Sequence, residues 1–215
     1  MRMVKYMAAG GIAALMVLSG TTAGASTTTA SLQSRVLALS DLPTGWEVSP
    51  TATTTTLLTQ NTGAAVAVGN CASTTSGASP GTTASVTFDQ NPFPKLGETL
   101  GTGTTAVASW NHLNHVLKSC RVVGIKAQDG LAKARIRPLA FPQVGDRSSA
   151  HLITAKVTGV AVGVDVVTFK VSSYVGVIAD ISPGRPNAAA LKPIVRTAVA
   201  KAAATTTATT TSATT

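Results

Sequence analysis

Lys133, Arg135 and Arg137 stand two residues apart in the stretch LAKARIRPLAF. In an extended chain that spacing sends three cationic side chains out of one face. Such a row attracts phosphate, sulfate or carboxylate groups, and it repels itself unless water or an anion compensates. The histidines are His112, His115 and His151. His112 and His115 would flank one side of a helix, but no acidic or thiol partner stands at ligand spacing from them, so no metal site is expected. His151 opens a β-rich run, where a cleft residue would sit, and joins Lys133, Arg135 and Arg137 as a candidate ligand-binding residue. Asp165 lies inside a largely apolar run, as a functional acid or as the partner of a base on a neighbouring strand. The chain has no G-x-S-x-G elbow, no H-E-x-x-H and no closely spaced pair of carboxylates. No catalytic residue and no cofactor are therefore assigned, and the chain is expected not to be an enzyme.

The elements that must position these groups follow from periodicity. Leu32, Val36 and Leu39 recur at helical spacing, and Asp41-Leu42-Pro43 ends that short helix. Gly45 then turns the chain and sets Trp46 on the core. Residues 82–90 alternate as a strand, and NPFPKLG reads as a break. In TTAVASWNHLNHVLKSC, Ala106, Trp110, Leu113, Leu117 and Cys120 make one apolar helix face. The period then changes to two. RVVGIKAQ, LAKARIRPLAF, SAHLITAKV, VAVGVDVVTFKV and YVGVIADI are β-rich runs joined by short breaks, among them Thr158-Gly159 and Ser172-Ser173. Connections that short force antiparallel neighbours. A last helix is expected over 188–203, with Leu191, Ile194, Val195, Ala198 and Ala202 on its apolar stripe and Pro193 in its first turn or at a kink. The expected fold class is α+β: an antiparallel β-sheet of hairpin-linked strands with helices packed mainly on one face.

Residues 1–25 read as a signal peptide. Arg2 and Lys5 give a positive start, Met7 to Leu18 is an apolar run too short to span a bilayer, and Ala23-Gly24-Ala25 is an A-x-A site. Cleavage is expected between Ala25 and Ser26, with no transmembrane segment in the mature chain. Residues 26–30 form a Thr-rich N-terminus, 31–203 the folded domain and 204–215 a disordered Thr-rich tail. Cys71 and Cys120 are the only cysteines. In an oxidising compartment the expectation is one disulfide between them, with two free buried thiols as the alternative.

The net charge is +9. From Lys118 onward only Asp129, Asp146, Asp165 and Asp180 oppose many basic residues. Such a surface draws anionic partners: a cell-wall polymer, a lipid headgroup or another small envelope ligand. Nucleic acid is not expected, because the cations are singly spaced and not interleaved with aromatic residues. A monomer is expected.

SDLPTGWEV, one cysteine before a strand and a second closing an amphipathic helix, PLAFPQVGDRSSA before a hairpin, and GVAVGVDVVTFKVSSYVGVIAD before the last helix recur together. Over about residues 31–203 they resemble the PknH-like extracellular sensor domains of actinobacteria. Relatives of that kind are the outer domains of transmembrane kinases, exported proteins or lipoproteins. The resemblance implies an α+β sensor-like fold with a cleft beside the sheet for an unidentified ligand, and no established enzymatic activity. The kinase sensor has two disulfides, whereas this chain has cysteines for one. Thr21 stands where lipidated relatives carry the anchor cysteine. The expected product is a secreted or wall-associated, non-lipidated, non-enzymatic binding or sensor-like domain for an envelope ligand that is anionic or amphipathic. The alternatives are a secreted hydrolase and a structural or adhesive wall protein.

Overall fold

A computed structural model describes residues 31–49, 82–91, 93–127, 130–157 and 159–204. The signal peptide, the Ala25–Ser26 junction, residues 26–30, Cys71 and the tail beyond residue 204 lie outside the described residues.

Eight strands form one antiparallel sheet: β1 (Glu47–Val48), β2 (Thr82–Asp89), β3 (Lys95–Thr102), β4 (Val122–Ala127), β5 (Gly130–Pro138), β6 (Arg147–Val157), β7 (Val160–Val171) and β8 (Tyr174–Pro183). Their order is β1-β2-β3-β8-β7-β6-β5-β4. Helix α1 (Gly103–Ser119) carries the chain from β3 to β4, and α2 (Ala188–Ala203) follows β8. The β-rich runs are β4 to β8, and two-residue connections join β6 to β7 and β7 to β8, with Val157 opposite Val160 and Val171 opposite Tyr174. Among the described residues no helix is long and apolar enough to cross a membrane.

The two long helices lie on opposite faces of the sheet. Side chains alternate across a strand, and β7 shows the division. Val166 joins Ala106, Trp110 and Leu117 of α1 in one core cluster. Val167 and Phe169 join Leu191, Val195 and Ala198 of α2 in the other. The N-terminal segment shares the α2 face through Leu32, Val36 and Leu37. The expectation of helices mainly on one face therefore holds for that segment and α2 and fails for α1. The apolar residues on both sides of β7 and β8 need cover on both sides.

Three further expectations are corrected. The first helix is broken: helical turn at 31–33, then a 3-10 turn at Leu39–Asp41. Leu39 is exposed, and Leu37 is buried in its place because its N–H donates to Glu98. Second, NPFPKLG is not a break throughout: from Lys95 it already belongs to β3, whose interior positions are all buried. Gly101 belongs there because α1 crosses closely; a Cβ would stand 2.9 Å from that of Ala106. Third, of the two places expected for Pro193 the first turn is ruled out: it stands further inside α2, where it removes one intrahelical hydrogen bond. Asn187 caps this helix by accepting from the N–H groups of Ala189 and Ala190. Trp46 packs against the α2-side core as expected.

Candidate functional site

Strand β5 turns Ala134 and Ile136 inward, and both are buried. Alternation then sends Lys133, Arg135 and Arg137 to the opposite side, and all three are exposed. Their face is the one that carries α2, and α2 packs on β7 and β8. Thr154 stands opposite Arg135 and Leu152 opposite Arg137, and exposed Lys156 continues β6 on the same side. Lys133, Arg135, Arg137 and Lys156 thus share one side, and strands β4 to β6 contain neither Asp nor Glu. The result is a cationic, open stretch of sheet. Successive row charges stand about 7 Å apart along the strand.

His151 does not belong to this row. It faces the α1 side, is 5% exposed, and has no hydrogen-bond partner on Nδ1 among the described residues. Burial, and then the charge of Lys118, hold its pKa below the usual range. The ring is thus a neutral interior group, separated from Lys133, Arg135 and Arg137 by the thickness of the sheet.

Asp165 has a different neighbour from either one expected. The β7–β8 register sets it directly opposite Asp180. Cross-strand pairs of this kind hold their Cβ atoms about 5 Å apart. Asp165 is 1% and Asp180 8% exposed, and one oxygen of each has no hydrogen-bond partner among the described residues. Burial first, then the charge of Asp165, pushes Asp180 up to about 6. Burial raises Asp165 as well, opposed by Arg185. Arg185 comes from the loop after β8, which folds over Gly163. A Cβ there would meet the carbonyl oxygen of Gly184 at 2.3 Å and the ring of Pro186 at 2.5 Å. Two carboxylates at this separation favour a state in which at least one is protonated.

A third carboxylate shares the face. Glu98 of β3 is fully buried and accepts the N–H of Leu37 at 2.6 Å through Oε2, while Oε1 has no partner among the described residues. Burial pushes it up to about 7, against the Leu37 N–H and the charge of Lys201 and with the charge of Asp41. Lys201 and Asp41 themselves form an ion pair at 2.6 Å.

Sequence reasoning missed Asp180 and Glu98. For Asp180 the signal was available: a two-residue turn at Ser172-Ser173 fixes the register behind it. Cys120 ends α1, is buried, and is disulfide-bonded. Its expected partner, Cys71, lies outside the described residues. His112 and His115 are exposed, and among the described residues no cluster of His, Cys, Asp and Glu is suited to hold a metal.

No family model, curated protein or solved structure matches this chain.

Proposed function

We propose that this chain is an exported, non-enzymatic binding domain of the PknH-like sensor kind, and that it engages an anionic polymer of the cell envelope through the outer face of β5 and β6. One observation carries this reading: Lys133, Arg135 and Arg137 are exposed on a single face of a sheet region whose strands contain no acidic residue. An extended row of charges fits a linear partner better than a compact one. The signal-like N-terminus supports export, and the buried state of Asp165 and Asp180 supports a binding role over acid–base catalysis at that pair. A carboxylate 1% exposed does not touch a polymer chain.

Binding of the purified protein to a soluble poly(glycerol phosphate), measured across salt concentrations, tests the reading. Affinity should fall as salt rises, because association releases counterions from the polyanion. The double variant Arg135→Ser with Arg137→Ser should bind more weakly and reduce the slope of log K against log salt by about 1.5, since each phosphate that a cation neutralises contributes roughly 0.7–0.9. Binding that both proteins share, with the same slope, would remove the row from the mechanism.

A further inference from the structure

A second cationic site lies on the other face. Between α1 and the start of β6 is a cleft of about 210 Å³, lined by Trp110, Asn111, Asn114, His115, Lys118, Arg147 and Ser148. Its α1 residues fall on one helical stripe, because 110, 111, 114, 115 and 118 follow the i, i+4, i+8 repeat and its flank. No carboxylate lines it among the described residues. Lys118 and Arg147 are exposed, and neither makes an ion pair among the described residues. Arg147 lies over the indole of Trp110, 5.9 Å from the ring centroid. That contact fixes its guanidinium at the mouth without neutralising it.

The floor is rigid. Asn114 Oδ1 accepts from Ser149 Oγ at 2.6 Å and from Thr168 Oγ1 at 2.8 Å, and Asn114 Nδ2 donates to the Trp110 carbonyl at 2.8 Å. These bonds occupy the carboxamide oxygen, so what the cleft presents to a ligand is donors and positive charge. The Trp110 N–H in its wall is buried without an acceptor among the described residues.

We propose that this cleft binds a small phosphomonoester, or an equivalent compact dianion, between Lys118 and Arg147, independently of the β5 row. The guanidinium supplies paired donors matched to phosphate oxygens and the ammonium a point charge. Exposed His115 stands beside Lys118 on the same helix stripe. The size favours a small ester over a polymer segment. His151 gives an internal reporter, because Lys118 helps to hold its pKa down. A dianion bound at Lys118 cancels that repulsion and raises the His151 pKa.

The test titrates the intact protein with inorganic phosphate and with glycerol 3-phosphate, following His151 by NMR. The expected result is saturable binding, an upward shift of the His151 titration, and about tenfold weaker binding in Lys118→Gln and in Arg147→Gln. Both side chains are exposed, so the variants should keep the parent's circular dichroism. Arg135→Ser with Arg137→Ser should bind the esters like the parent. Vesicles containing phosphatidic acid carry the same headgroup chemistry and should bind no tighter than the free ester. The proposal is overturned by an absence of saturable binding, by binding that Lys118→Gln and Arg147→Gln leave intact, or by capture on vesicles while the free esters are silent.

Discussion

The two faces of the sheet bury polar groups in opposite ways. Under α1, Asn114, Ser149 and Thr168 are neutral and bond to one another: Ser149 Oγ also lies 2.9 Å from Thr168 Oγ1. Under α2 and the N-terminal segment, Glu98, Asp165 and Asp180 each keep one oxygen without a partner. A neutral network that satisfies itself is stable at any ordinary pH. A buried carboxylate short of partners avoids the cost of a buried charge by holding its proton. The Asn114 network therefore provides constant geometry beneath a cleft, and the acids of the α2 face dominate the sensitivity of the fold to acidity, with buried His151 on the α1 side acting the other way.

The largest expected effect separates the faces by pH. Glu98, Asp165 and Asp180 titrate above their ordinary values in the folded chain. The folded state thus keeps protons that the unfolded chain has released. The contributions of Glu98 and Asp180 are fullest below about pH 4 and are lost as pH rises through about 7 and 6 respectively, and that of Asp165 runs in the same direction. A tenfold change in proton affinity corresponds to about 1.4 kcal/mol, so the combined loss is on the order of several kcal/mol. His151 opposes this slope. Its pKa is lowered, so its contribution is present above about pH 6.5 and lost below. Three acids outweigh one imidazole, and the urea midpoint should be higher at pH 4.5 than at pH 7.5. A midpoint that rises toward neutral pH would break the contrast between the faces.

The next effect is on the α1 side. Asn114→Ala leaves the hydroxyls of Ser149 and Thr168 without their shared acceptor and should cost about 2 kcal/mol. The loss should be equal at the two pH values, and urea unfolding at both measures it. A pH-dependent loss would mean that this cluster is tied to the acids across the sheet.

The smallest effect sharpens the account of the acid pair. Asp180→Asn replaces a carboxyl that is ionised at pH 7.5 by an isosteric neutral amide and removes the repulsion with Asp165. It should raise stability by about 1 kcal/mol at pH 7.5 and change little at pH 4.5. Destabilisation at pH 7.5 with no change at pH 4.5 would show that the ionised Asp180 is needed by the fold.

Much of this arrangement was legible in the residues. The apolar stripe of α2 and the strands β4 to β8 follow from periodicity alone. So does the exposure of Lys133, Arg135 and Arg137, since Ala134 and Ile136 alternate with them. The split of the helices between faces also left a trace: VAVGVDVVTFKV is apolar at odd and even positions, the pattern of a strand covered on both sides. β3 was illegible for a physical reason. In KLGETLGT the glycines and Glu98 all disfavour a strand, and only close packing against α1 and pairing on both edges explain them. The cleft at Lys118 and Arg147 was beyond local reading, because its two walls are brought together by a crossover from one side of the sheet to the other.

That order of strands also bears on how the chain folds. The β7–β8 hairpin closes locally, but β3 meets β8 across a long separation, Lys95 with Ile181. Contacts so distant in sequence form late. Until then the β2–β3 hairpin carries an open strand edge, the kind that recruits other chains. Glu98 sits on that strand and, outside the core, is ionised at neutral pH. The charge that is costly after folding is a deterrent to aggregation before it, during the interval before β8 covers that edge.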